Sequence, residues 1–158
     1  MGPWEIIGTL ANHGTLVLYD GAPDHPGPDR IWSLVERHRV GVLGVSPTLV
    51  RALMAHGDDL PAAHDLSTLR VLASTGEPWN EGPWRWYFEV IGGARCPVIN
   101  ISGGPRSVRA SCLRMWSSRS RPAHWGPSLG MAVDVFDDAG NPVRGRSASS
   151  CAPSRGRG

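Results

Sequence analysis

Lysine is absent. All sixteen basic residues of this 158-residue chain are arginine, so no chemistry that depends on a lysine ammonium can be carried by these residues. Also missing is any run of the roughly 18 apolar residues that a membrane span requires, and no membrane partner is expected. Met1-Gly2-Pro3-Trp4 has no basic start followed by an apolar stretch. No signal peptide is therefore visible, and a soluble, cytoplasmic protein is expected. Cysteine is scarce: Cys96, Cys112 and Cys151 are widely spaced, odd in number and without a CxxC pair. Isolated thiols account for them better than a metal or redox site. The histidines lack ligand spacing, and His13, His38, His56 and His64 fall near expected element ends, as solvated or locally bonded imidazoles.

The charge that is present is unevenly placed. Residues 1–104 hold seven arginines against eleven acids, whereas residues 105–158 hold nine against three. A net balance of −4 thus gives way to one of +6, and the two parts do not share one design. The length suffices for one domain with a real core.

The first hundred residues alternate in the manner of an α/β protein. Trp4 to His13 reads as a helix stopped by Gly14, and Thr15 to Tyr19 as a short buried strand. Asp20 to Pro28 is turn chemistry throughout. Asp29 is expected to cap a helix running to Arg39, with Ile31, Leu34, Val35 and His38 on one face. Val40 to Val45 is a continuous apolar run, as in a parallel strand buried on both faces. Ser46-Pro47 supplies a cap and an N1 proline for a helix with an apolar stripe at Leu49, Val50, Leu53 and Met54. Leu69 to Ser74 and Pro97 to Ile101 complete the strands, with a helix from Asn80 or Glu81 to Ile91 between them. Strands alternating with helices of about ten residues imply right-handed crossovers and a mostly parallel sheet. Trp84, Tyr87 and Phe88 reach one side of the last helix and read as core.

Thr75-Gly76-Glu77-Pro78 and Ser102-Gly103-Gly104 follow two successive parallel strands, where open α/β sheets bind ligands. On the residues alone, a nucleotide site and a plain glycine-rich turn both stay open, as do a functional and a turn role for Glu77. The wider wording resembles the acetyl-CoA synthetase branch of the adenylate-forming acyl-CoA synthetases. The resemblance is carried by Gly14-Thr-Leu-Val-Leu-Tyr-Asp-Gly-Ala-Pro23, Val45-Ser-Pro-Thr48-Leu-Val-Arg-Ala-Leu-Met54, Leu69-Arg-Val-Leu-Ala-Ser-Thr-Gly-Glu-Pro-Trp-Asn80 and Trp86-Tyr-Phe-Glu-Val-Ile-Gly-Gly-Ala-Arg-Cys-Pro97. These segments span most of residues 1–104, read as part of an AMP-binding domain.

The resemblance implies an α/β large domain, ATP-dependent activation of a carboxylic acid to an acyl-adenylate, and thioester formation with CoA. It assigns Gly76, Glu77 and Pro78 to the adenine and phosphate, and Ser102, Gly103 and Gly104 to the next nucleotide motif. Thr75 and Gly103 fall at its acyl pocket. Acetyl-specific members carry a tryptophan near the Gly103 position, so glycine there implies a larger acid. ATP or AMP, CoA and Mg²⁺ are the implied cofactors. The same resemblance exposes gaps: the phosphate loop should precede this segment, and the ribose aspartate, hinge and lysine-bearing C-terminal domain should follow. At 158 residues the chain is too short for such a two-domain ligase. A Thr-Glu pair should follow Gly104, the Glu holding the metal, yet Pro105 and Arg106 stand there. An inactive fragment is expected, since activating a carboxylate with ATP needs cations on the transferring phosphates.

A reading-frame shift accounts for the arginine-rich parts. If one base is lost just before codon 105, Pro105-Arg-Ser-Val-Arg-Ala-Ser-Cys112 re-reads, with suitable wobble bases, as Thr-Glu-Val-Gly-Glu-Gly-Ile-Leu. The same operation on Arg146-Ser-Ala-Ser-Ser-Cys151 returns Glu-Val-Gly-Glu-Leu-Val. Residues 105–125 and 146–158 are accordingly read as aberrant, the last stretch as a disordered tail, flanking a family-like strand-turn-strand island at 126–145. Asp134, Asp137 and Asp138 belong to a polar turn there rather than to a metal cluster. Other readings are a non-catalytic adenine-nucleotide-binding remnant and an arginine-tail protein binding polyanions. Nucleic acid is the weaker of these, because Trp116 and Trp125 make no stacking platform.

Overall fold

The computed structural model describes residues 2–102, 112–115, 126–127, 133–135, 141 and 151–153. Helix α1 spans Gly2–Ala11. It ends where His13 turns left-handed, at φ 57°, and the Gly14 amide reaches back to the Thr9 carbonyl at 2.8 Å. Thr15 to Tyr19 is not the buried strand that its apolar letters predict. It has no ladder partner among the described residues, and Leu18 is 78% exposed. Alternation and β-branching make a strand only where a sheet edge is available to pair.

Helix α2, Arg30–His38, buries Ile31, Trp32 and Val35. Trp32 rather than Leu34 completes the buried stripe, and His38 is exposed. Asp29 precedes it without a side-chain capping bond; its carboxylate faces the His64 ring instead, Oδ2 to Nε2 at 3.4 Å. Strand β1, Val42–Val45, leads into α3, Pro47–Met54. As predicted, the Ser46 hydroxyl caps that helix, accepting the Leu49 amide at 3.2 Å, and Pro47 sits in the first turn. The short helix α4, Asp59–Ala62, precedes β2, Val71–Thr75.

Helix α5, Glu81–Trp86, continues as a π turn, Tyr87–Ile91, before β3, Val98–Ser102. The wider π turn shifts side chains around the helix axis, so aromatics are buried on more than one side. Trp84 stacks on Phe88, Tyr87 on Trp79, and Trp86 meets Trp32 edge to face.

β1, β2 and β3 are parallel neighbours, with Leu43 opposite Leu72 and Leu72 opposite Val98. These three share one face, and the core lies there, with Trp32, Val35, Val50, Leu53, Tyr87 and Ile91. The opposite face is open: Val42 is 58% exposed. The expectation of burial on both faces of β1 fails because the described helices cover only one of them.

Beyond β3 the sheet turns antiparallel. β4, Cys112–Met115, pairs with β3, and β5, Gly126–Pro127, with β4. A separate pair joins β6, Val133–Val135, to β7, Cys151–Pro153. Backbone pairing thus reaches into the arginine-rich segment and into the tail that the sequence reads as disordered. Unpaired edge amides and carbonyls accept a partner strand with little regard for side-chain identity. The fold class is α/β, a mostly parallel three-stranded centre with flanking helices and an antiparallel extension.

Candidate functional site

The site lies at the carboxyl ends of β2 and β3 and the start of α3. Parallel pairing sets Ser74 opposite Asn100 and Thr75 opposite Ile101, so the turn after β2 and the end of β3 come side by side. Thr75 ties them, its hydroxyl donating to the Ile101 carbonyl at 2.6 Å. Gly76 follows at φ +106°, and a Cβ built there would meet nothing within 4 Å. Glycine is required by this backbone angle, not by crowding from the described residues.

Glu77 is the electrostatic centre. Its Oε1 accepts the Thr48 amide at 3.1 Å and also the Thr48 hydroxyl. Its Oε2 accepts Nη2 of Arg51 at 2.5 Å. Thr48 and Arg51 stand one turn apart on α3, behind the cap that Ser46 provides, so the carboxylate sits where the helix presents free N–H groups. These bonds hold the Glu77 carboxyl below the usual carboxylate range, the Thr48 hydroxyl contributing most and the Arg51 guanidinium next. A carboxylate so engaged is a poor proton acceptor near neutral pH.

Behind the turn, Trp79 is buried and stacks on Tyr87, with ring centroids 5.8 Å apart. The Tyr87 hydroxyl donates to the Leu43 carbonyl at 3.0 Å and lies 3.5 Å from that of Ala73, anchoring the π turn to β1 and β2. Ser74 Oγ and Asn100 Oδ1, buried side by side in register, have no hydrogen-bond partner among the described residues.

Of the residues singled out in the sequence, Thr75, Gly76, Glu77, Pro78 and Ser102 are brought to one sheet end. Gly103 and Gly104 lie outside the described residues, as do Pro105 and Arg106. Thr48 and Arg51 were missed as site residues, although both stand in a segment quoted for the resemblance. The available signal was a threonine and an arginine three residues apart in a helix opened by Ser-Pro, facing a turn with one acid. Among the described residues, no group of three or more His, Cys, Asp or Glu side chains is placed to hold a metal ion. No helix among them is long and apolar enough to cross a membrane.

A family model described as AMP-binding enzyme matches residues 1–148. The chain belongs to that family. Its similarity runs to acetyl-coenzyme A synthetases. It is 40% identical over 146 residues to that of Pyrobaculum arsenaticum, covering 89% of this chain and 22% of the relative. With that of Deinococcus radiodurans it shares 47% over 97 residues, 61% of this chain and 15% of the relative. Among solved structures, acetoacetyl-CoA synthetase from Streptomyces lividans superposes with a TM-score of 0.68 at 30% identity, over 82% of this chain and 21% of that one. The anthranilate CoA ligase AuaEII, in complex with anthranoyl-AMP, gives 0.67 at 25% identity, over 83% and 24%. The chain therefore spans about a fifth of the length of such relatives.

Proposed function

We propose that this AMP-binding chain supplies the adenine-nucleotide turn of an acyl-CoA synthetase, the enzyme class that converts a carboxylic acid and ATP to an acyl-adenylate and then to a CoA thioester. The observation that carries the reading is the glycine turn Thr75–Pro78, opening beside the end of β3 at the carboxyl edge of a parallel sheet. Gly76 leaves space for a planar base to approach the backbone. Ser102, Gly103 and Gly104 are the expected second side of the same site, and Thr75 with Gly103 the edge of the acyl pocket.

The residues fit a nucleoside better than a metal-bound triphosphate. Arg51 is engaged by Glu77, and the chain has no lysine to set against developing phosphate charge. Mg²⁺ and CoA belong to the whole enzyme of this class, and this chain is expected to bind adenylate without completing the reaction. Titrating AMP and ATP into the purified chain, with intrinsic tryptophan fluorescence, to which Trp79 beside the turn contributes, as the readout, tests this. Saturable change with both nucleotides is expected, without CoA-thioester formation when acid, ATP and CoA are added. Absence of any response at millimolar nucleotide, or steady thioester synthesis, would overturn the reading. Glycine at 103 further favours an acid bulkier than acetate, which acid-dependent pyrophosphate release by an intact homologue checks.

A further inference from the structure

We infer that Thr48 and Arg51 are positioning residues for the glycine turn and that Glu77 is their latch rather than a ligand or a base. The inference deepens the nucleotide reading above, but its first test does not need a nucleotide.

Three donors converge on Glu77 from a single helix turn. Oε1 takes both the amide and the hydroxyl of Thr48, which fills its two lone pairs. Oε2 takes the Arg51 guanidinium, leaving one acceptor direction unused. Arg51 Nη2 also reaches the Thr48 hydroxyl at 2.9 Å, closing a triangle of side chains. The triangle spans 26 to 29 residues of sequence and joins the start of α3 to the turn after β2.

The geometry suits such a role. Gly76 at φ +106° is free of steric constraint and loses the most backbone entropy on ordering. An unrestrained glycine turn samples several shapes, whereas a surface that meets a base must hold one. Thr75, directly before Gly76, is held by its bond to the Ile101 carbonyl, and Glu77, directly after it, holds the other side. On the far side, Trp79 is fixed by its stack on Tyr87. Gly76 and Pro78 therefore stand beside and between two fixed residues, one held by charge and the other by packing. Arg51 and Glu77 side chains are 36% and 33% exposed, so the pair is partly solvated and contributes modestly to global stability. Its effect is local order.

Amide hydrogen exchange on the full chain, without ligand, tests this first. Glu77→Gln and Arg51→Met are expected to speed exchange at the Thr48 amide, which donates to Glu77 Oε1, about fivefold, the size of losing one charged hydrogen bond at a partly solvated site. Amides of β2 and the π turn should be unchanged. Arg51→Lys and Thr48→Ser, which keep charge and hydroxyl, should restore most of the protection. In the parent chain, Thr48 protection corrected for intrinsic rates should fall away as pH drops below the ordinary carboxylate range, and in Glu77→Gln it should be flat. Parent-like exchange at Thr48 in both disruptive variants, or equal loss across β2, would overturn the latch. AMP titration then separates the two ideas. Weaker AMP binding in Arg51→Met with recovery in Arg51→Lys supports both. A parent chain that ignores AMP defeats the nucleotide reading, while the latch still stands or falls on exchange alone.

Discussion

Gly76 and Tyr87 show what single residues contribute on either side of the turn. Gly76→Ala meets no atom, yet it forces a Cβ onto a backbone at φ +106°. Stability should fall by about 1 kcal/mol or more in urea unfolding, from backbone strain alone. Tyr87 is fully buried, and burial pushes its phenol well above the ordinary tyrosine range. The sign follows from linkage: the folded chain holds this proton more tightly than the unfolded one. Stability is then lost as pH rises past the unfolded phenol's value of about 10. Tyr87→Phe should lower stability at neutral pH by about 1 kcal/mol through loss of the bond to the Leu43 carbonyl. It should also flatten the alkaline part of the stability profile, as unfolding at stepped pH would register. Glu77 was legible as the one acid of the turn, but its partners were not, because nothing in the spacing of Thr48 and Arg51 says which strand end they will face.

Between elements, His64 makes the clearest electrostatic tie. Its Nδ1 lies 2.8 Å from Glu36 Oε2 and its Nε2 3.4 Å from Asp29 Oδ2. The Asp65 amide also donates to Glu36, at 3.0 Å. Together these pin the segment after α4 to α2. On its other flank, Arg95 donates to the Leu66, Ser67 and Leu69 carbonyls. Glu36 is held below the ordinary carboxylate range, chiefly by His64 and then by the Asp65 amide. Its contribution is present above that range and lost as pH falls through the lowered value. Glu36→Gln should therefore flatten the acid limb of the stability profile, as unfolding at stepped pH would register. In the core, Leu72→Ala should cost about 2–5 kcal/mol, since Leu72 is fully buried beneath Gly92.

At the scale of the whole chain, the sheet has a covered face and an open one, and exposed apolar groups continue along α1 at Ile6, Ile7 and Leu10. We propose that residues 105–125 and 146–158 are translated out of frame. Sequencing genomic DNA across codons 100–158 should then reveal the base that restores Thr-Glu after Gly104. An unaltered genomic frame with no second copy in register would mean that the arginine-rich segments are genuine.

The sequence by itself determined the local grammar. Ser46-Pro47 set the start of α3, the apolar run after Arg39 made β1, and Thr75-Gly76-Glu77-Pro78 had to be a turn after a strand, because capping, burial of β-branched residues and glycine torsions act within a few residues. It also fixed the family, through words spread over most of residues 1–104. Tertiary structure alone decided that Thr15 to Tyr19 finds no strand partner among the described residues and that their helices cover one face of β1. It also decided that Asp29 turns from its own helix to His64, and that Thr48 and Arg51 close on Glu77. Each of these depends on which distant segment arrives alongside, and no local preference encodes that.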